Sequence, residues 1–150
     1  MKIKDVFDII QGHQITDEEL YKTIGDIPVY TGRNELKGYW NKSIIEEKDL
    51  PCISYPTKGN SGQCYVQYKL FDANNTAILI PKDEWQDKII LEWVRIKLPT
   101  IFLSVQTSKG GVSYLNREIV EEIELDIPDK TTQQQELDRY KKLIKLKNKL

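Results

Sequence analysis

Ile123-Glu124-Leu125-Asp126-Ile127-Pro128-Asp129-Lys130-Thr131-Thr132-Gln133-Gln134-Gln135-Glu136 changes its hydrophobic period twice, and those changes divide the chain. Just upstream, Asn116 is placed to cap a helical turn holding Ile119, Val120 and Ile123. From Ile123 the period becomes two, with Leu125 and Ile127 continuing the alternation of a strand. Pro128 stops it, and residues 128–131 read as a linker. Thr132 with Gln135 then makes a capping box that opens a helix running to Leu150 without glycine or proline. The expected division is a body at residues 1–128 and a linker with a C-terminal helix at residues 129–150. That helix, of about five turns, carries Leu137, Tyr140, Leu143, Ile144, Leu146 and Leu150 against Arg139, Lys141, Lys142, Lys145, Lys147 and Lys149. So many apolar side chains need a surface to cover them, either the body itself or another chain.

Upstream, Ile3, Val6, Phe7 and Ile10 have helical spacing, and Gly12 is a reasonable stop. Thr16 and Glu19 form a capping box, predicting a helix from Asp17 to Lys22. Short strands follow, separated by glycine and proline: residues 27–30, 51–55, an alternating run at 63–71 and an apolar run at 76–80. Trp85, Ile89, Trp93 and Ile96 then recur at helical spacing, with Trp85 and Trp93 read as core, and Pro99 ends that helix. Residues 100–105 read as a buried strand, and Lys109-Gly110-Gly111 as a turn. The expected fold class is α/β (α+β): a mixed, irregular sheet with short helices, followed by the C-terminal helix.

At 150 residues the chain suits one domain with a sizeable core, and 39% hydrophobic against 30% charged residues is the balance of an ordinary globular protein. No apolar run approaches the roughly 18 residues of a spanning helix, and Met1-Lys2-Ile3-Lys4-Asp5 leads into no signal-peptide core. The expected compartment is the cytoplasm, with no membrane partner. Cys52 and Cys64 lack metal or redox spacing and read as reduced, semi-buried thiols. His13, the single histidine, reads as a surface residue. The net charge of −1 argues against a nucleic-acid binder, but the charges are segregated. No acid lies between Arg95 and Arg117, and Asp72 is the one acid of residues 51–81, whereas Glu118, Glu121, Glu122, Glu124 and Asp126 crowd together. One face is therefore expected to attract phosphate and another to repel it.

Three segments in order carry a family resemblance: Gly25-Asp26-Ile27-Pro28-Val29-Tyr30-Thr31-Gly32, then Tyr55-Pro56-Thr57-Lys58-Gly59-Asn60-Ser61-Gly62, then Ile123 to Pro128 followed by Gln133-Gln134-Gln135-Glu136. Their spacing resembles one target recognition domain of the specificity subunits of type I restriction-modification systems, with the conserved helix after it. The opening Lys4-Asp5-Val6-Phe7-Asp8-Ile9-Ile10-Gln11-Gly12 is similar to that family's start, so the likeness spans essentially the whole chain. No single motif is specific; the ordered set is. Two features depart from the family: Asp129-Lys130-Thr131-Thr132 lacks the second proline and following acid common there, and full-length members carry two such domains joined by two long helices. The chain thus resembles a half-subunit or a truncated one. The resemblance implies non-catalytic reading of double-stranded DNA, no cofactor, a modification methyltransferase subunit as partner, and a second specificity half, either a copy of this chain as a homodimer or another chain. Leu137, Tyr140, Leu143, Ile144 and Leu150 are the expected partner contacts.

The loop residues fit that chemistry on their own terms. Lys58-Gly59-Asn60-Ser61-Gly62 offers charge, a hydroxyl and two glycines that admit close backbone approach. Thr31-Gly32-Arg33-Asn34, with Lys37 beyond it, adds an arginine suited to guanine and an asparagine suited to adenine. Gln106, Ser108 and Lys109, in Gln106-Thr107-Ser108-Lys109-Gly110-Gly111, repeat the mixture. Read without the resemblance, Gly59 to Gly62 is first a hairpin turn, Arg33 and Lys37 are solvated charges, and Tyr39 with Trp40 packs in a core or loop. Among enzyme readings, no phosphate-binding loop, dinucleotide fingerprint, nucleophile elbow or adenine-methyltransferase motif is present. The rival is a metal-dependent nuclease using Asp26 with Glu35 and Lys37, or with Glu46 and Lys48, although Glu-x-Lys is frequent by chance in so charged a chain. A third class, a protein-interaction module using the terminal helix, predicts no DNA binding at any salt concentration.

Overall fold

The computed structural model describes residues 1–149. Along the chain, α1 (Ile3–Val6) leads directly into β1 (Phe7–Gln11), followed by α2 (Asp17–Lys22), β2 (Ile27–Tyr30) and β3 (Leu36–Trp40). A 3-10 turn at Glu47–Asp49 precedes β4 (Cys52–Pro56), β5 (Tyr65–Gln67), β6 (Asp72–Ala73) and β7 (Thr76–Pro81). A second 3-10 turn at Asp83–Trp85 leads to α3 (Leu91–Val105), the hairpin β8 (Thr107–Lys109) and β9 (Val112–Tyr114), α4 (Arg117–Glu121) and α5 (Lys130–Lys147). The fold is mixed α/β with irregular sheets, short helices and a C-terminal helix.

The centre is an antiparallel sheet of order β1-β7-β4-β5. Every residue of β7 and of β4 is buried, which an unbroken apolar run produces when both faces of a sheet are covered. On one face, Ala77, Leu79, Ile53 and Tyr55 join Phe7, Ile9, Trp93, Leu98 and Phe102 in the main core. On the other, Ile78, Ile80 and Cys52 pack with Ile45, Phe71 and Ala73. A smaller sheet of order β3-β2-β6 lies beside it, its third core holding Ile15, Val29 and Trp40, while Tyr39 is exposed. Cys52 and Cys64 are free and fully buried rather than semi-buried, and burial pushes each thiol up to about 12. His13 is half-exposed, but its ring bonds the wholly buried Asp72 carboxylate, tying the β1–α2 connection to β6. Among the described residues no helix is long and apolar enough to cross a membrane.

Five expectations give way to tertiary structure. The opening helix stops at Val6, because residues 7–11 pair along all of β7 and put Phe7 and Ile9 into the core. Pro99 does not end α3. The Arg95 carbonyl, which loses its helical partner to the proline ring, lies 3.3 Å from the Cys64 thiol that donates to it, and buried Leu98 and Phe102 hold the helix through residues 100–105. The alternating run at 63–71 yields a strand only over Tyr65–Gln67. The alternation from Ile123 correctly buries Ile123 and Leu125, but its partner is the start of the chain, which offers a single bridge, Lys2 with Glu124, in place of a ladder. The cap of α5 is Asp129, which accepts from the Thr132 N–H at 2.8 Å, so Thr132 lies inside the first turn and the helix starts at Lys130. The capping box at Thr16 and the cap at Asn116 form as expected, each side chain accepting from the N–H three residues on.

α5 is fastened to the body by a polar side chain. Gln133 has no exposed surface: its oxygen accepts from the Ile90 N–H at 2.8 Å, and its amide donates to the Lys88 and Pro128 carbonyls, each at 2.9 Å. One amide thus satisfies the N-terminal end of α3 and the strand exit before α5, groups that would otherwise be buried without partners. A turn later, Glu136 accepts from Trp93 Nε1 at 2.8 Å and pairs with Lys97 at 2.7 Å. Leu137 is buried within the chain, so that expected partner contact is used internally; Tyr140, Leu143 and Ile144 are exposed, and Leu150 lies outside the described residues. Gln133→Ala removes hydrogen bonds to three part-buried backbone groups and is expected to cost about 2–4 kcal/mol, with each fully orphaned group worth on the order of 1–3 kcal/mol before relaxation and rehydration. Urea unfolding checks it: the midpoint should fall with the slope unchanged, and an unmoved midpoint would show that α5 is held by other contacts.

Candidate nucleic-acid interface

Three polar loops converge because the strands that carry them end together. Pro56 at the end of β4 pairs with Thr76 at the start of β7, and Tyr30 at the end of β2 pairs with Ala73 of β6. The β2–β3 turn is closed by Thr31, whose backbone N–H donates to the Glu35 carbonyl and whose carbonyl accepts from Asn34, both at 2.9 Å. Its hydroxyl oxygen accepts from the Arg33 and Glu35 N–H groups. Asn34 sits in the left-handed region at φ 61°, where asparagine is tolerated better than most residues.

The β4–β5 connection touches both other loops. Lys58 bridges Tyr114 of β9, the Gly59 N–H donates to the Ser113 carbonyl at 2.7 Å, and Ser61 Oγ bonds Ser113 Oγ at 3.0 Å. From the other side, Arg33 Nε donates to Asn60 Oδ1 at 3.3 Å, and Gly32 lies against the same asparagine. Gly59 and Gly62 have φ of +67° and +92°. The β8–β9 hairpin presents Ser108 and Lys109 to solvent before its Gly110-Gly111 tip.

The charge segregation of the sequence carries only partly into space, since Arg95, Lys97 and Arg117 of the acid-free stretch pair with Glu92, Glu136 and Glu121. Arg33, Lys58 and Lys109 are exposed, and among the described residues none of them forms an ion pair. The acidic cluster is neutralised elsewhere: Glu122 binds Lys2 at 2.5 Å and Lys4 at 2.8 Å, which hold its carboxyl down to about 2, Glu124 meets the N-terminus at 3.3 Å, and Glu121 meets Arg117 at 3.0 Å.

Two candidates stand apart. Lys37 lies on β3 and pairs with Asp17 of α2 at 2.8 Å. Gln106 caps the C-terminal end of α3, its N–H donating to the Phe102 carbonyl, and its Oε1 is buried without a hydrogen-bond partner. Asn34 turns inward: its Oδ1 accepts from Gln67 Nε2 at 2.8 Å, and the same amide donates to Ser54 Oγ at 3.0 Å. Gln67, Ser54 and Ser113 support the loops from strands, where residue type alone does not mark them. Arg95, which shares an open cleft with Arg33, Gln63 and Tyr65, was marked only as the start of the acid-free stretch.

The nuclease arrangement gains no support. Among the described residues no three His, Cys, Asp or Glu side chains gather closely enough to hold a metal ion. Asp26 shares a cleft with Glu47 rather than with Glu35 or Glu46, Lys37 is engaged by Asp17, and Lys48 pairs with Glu46 on the exposed surface at 3.3 Å.

Comparison with known proteins bears on the fold and the family. A curated protein of Mycoplasma pneumoniae, named as a type I specificity subunit, is 27% identical over 131 residues, covering 85% of this chain and 34% of its own length. The crystal structure of the S subunit of a type I restriction-modification system from M. genitalium superposes with a TM-score of 0.70 at 17% identity, covering 93% of this chain and 37% of that one. The HsdS subunit of Thermoanaerobacter tengcongensis gives 0.69 at 13% identity, covering 97% and 38%. A chain from a structural study of complex assembly in the type I system gives 0.75 at 12%, also covering 97% and 38%. The chain spans about a third of the length of these relatives. Residues 1–150 match the family described as the type I restriction modification DNA specificity domain, and the chain belongs to that family.

Proposed function

We propose that the chain reads duplex DNA by sequence, without catalysis of its own, as a specificity component that directs a partner methyltransferase and endonuclease. The observation that carries this is the contact of residues 58–62 with Arg33 on one side and with Ser113 and Tyr114 of the β8–β9 hairpin on the other, in a member of a DNA specificity family whose Arg33, Lys58 and Lys109 are exposed and, among the described residues, outside any ion pair. Residues 1–128 form the target recognition domain, and residues 129–150 the linker and helix through which it docks. Thr31, Gly32, Arg33, Asn34, Lys58, Gly59, Asn60, Ser61, Gly62, Ser108 and Lys109 make up the reading surface, with Lys37 and Gln106 at its margin. Cations and backbone N–H groups on phosphate set the register, while side chains on base edges discriminate, each good bidentate contact by roughly 1–3 kcal/mol. Tyr140, Leu143 and Ile144 dock on a methyltransferase subunit and on a second specificity half, which in a homodimer is a copy of this chain. A cytoplasmic setting suits its two free thiols.

Selection of duplexes from a random library at low salt tests the reading: one short motif should be enriched, and binding without enrichment of any motif, or no duplex binding at any salt, would refute it. Lys58→Ala is expected to weaken binding to all sequences about equally and to reduce the salt slope by about one; an unchanged slope removes Lys58 from the surface. Gly62→Ala is expected to lower stability by about 1–3 kcal/mol, since its Cβ would come 2.7 Å from Leu103 Cγ in a left-handed backbone. Gly59→Ala, with open space around it, should cost only about 1 kcal/mol. Thermal unfolding of the pair checks the order, and equal losses would show that the loop does not press on α3.

A further inference from the structure

The hydrogen bonds of Arg33, Asn34 and Asn60 leave chiefly donors of these three side chains for a ligand. Both loop asparagines spend their carbonyl oxygens within the protein. Asn34 Oδ1 accepts from Gln67, which is buried and shared with Ser54 on β4, and Asn60 Oδ1 accepts from Arg33 Nε. The Thr31 hydroxyl oxygen already accepts two backbone N–H groups. What these side chains leave over, among the described residues, is the Nδ2 of Asn34, the Nδ2 of Asn60, the terminal nitrogens of Arg33 and the ammonium of Lys58. All of these are donors.

A donor surface discriminates between base pairs in the major groove. Guanine presents two adjacent acceptors, N7 and O6, whereas adenine places its N6 donor beside N7. Asparagine reads adenine by accepting from N6 while donating to N7, which requires a free Oδ1. Here that oxygen already accepts from Gln67, which turns it from the ligand and leaves the amide nitrogen as the group to offer. Resting on the proposed reading of duplex DNA, we infer that the Arg33–Asn34–Asn60 cluster reads a G·C pair through the guanine acceptors, and that Gln67 is the positioning residue that makes Asn34 a donor.

The test uses the full chain. Library selection with wild type, with Arg33→Ala and with Asn34→Gly, chosen because glycine suits the left-handed backbone, assigns the base pair whose preference relaxes. That pair should be G·C, and 7-deazaguanine there, which lacks the N7 acceptor, should weaken wild-type binding about tenfold, the scale of one good base contact. Gln67→Glu supplies an acceptor in place of the donor, so Asn34 must turn its Oδ1 outward. Discrimination against A·T at that pair should fall about tenfold, with the salt slope unchanged. An assigned pair of A·T, a relaxed preference at no position, or full affinity for the 7-deaza duplex overturns the inference while the DNA-reading function stands. If wild type enriches no motif, the proposed function fails and this inference with it.

Discussion

Burial of β7 on both faces and pairing on both its edges is the constraint on which the remaining structure depends. Six residues, Thr76 to Pro81, have β1 on one side and β4 on the other, with Ala77 and Leu79 pointing into one core and Ile78 and Ile80 into the second. A one-residue slip of register would exchange the two faces and drive each set into space shaped for the other. The register therefore fixes where Pro56 lies against Thr76, and so where the chain leaves the sheet into residues 57–62. The Thr57 N–H continues the ladder to the Asn75 carbonyl at 2.7 Å, and the Thr57 carbonyl accepts from Leu115 at 3.0 Å. In this way the rigid sheet hands its order directly to the loops.

The loops then hold themselves by polar contacts in place of apolar ones. Asn34, Asn60 and Asn75 all adopt positive φ, where a β-branched or bulky residue would be a strained outlier. The buried Ser54–Gln67–Asn34 chain is costly to bury unless every member is satisfied, but once satisfied it allows few alternative loop conformations. For a reading surface, that restriction counts for more than stability. Discrimination between base pairs depends on donors held where acceptors will be, and a loop that moved freely would lose affinity in ordering itself on each encounter.

How much of this was legible follows from the kind of signal each part carries. The apolar runs at 51–55 and 76–80, the Thr16 capping box, the Asn116 cap and the two-glycine hairpin tip are local, and each is legible from its own stretch of residues. The family was legible from the order of the three segments, and of the loops chosen for their polar residues, 58–62 touches Arg33 and the β8–β9 hairpin at Ser113. What could not be read were decisions made by distant partners. Phe7 to Gln11 has helical spacing, but its ladder lies on β7; Pro99 is a helix terminator until a thiol 35 positions earlier takes over the orphaned Arg95 carbonyl. Gln133 looks like one of three surface glutamines and is the buried pin of α5. Lys37 reads as a neighbour of Arg33 and faces Asp17. In each case a side chain's role is set by which backbone or charge tertiary packing brings beside it.

α5 shows how the two ends of the proposed function could share one framework. Its first two turns are pinned by Gln133, Glu136 and Leu137, whereas Tyr140, Leu143, Ile144 and Leu146 lie exposed on the turns beyond. A few helical turns with no tertiary contacts are marginal in water, and each large apolar side chain covered by a partner contributes on the order of 1.5–3 kcal/mol. The exposed stretch therefore gains order from whatever packs on it. Arg95 stands at the junction: its guanidinium lies 5.9 Å from the centre of the Tyr140 ring, bonds Glu92 at 3.2 Å, and lines the cleft it shares with Arg33. A partner that fixes Tyr140 also fixes the position of that cation beside the reading loops. In the proposed function, Arg95 is therefore the side chain that touches both the docking helix and the cleft beside the loops.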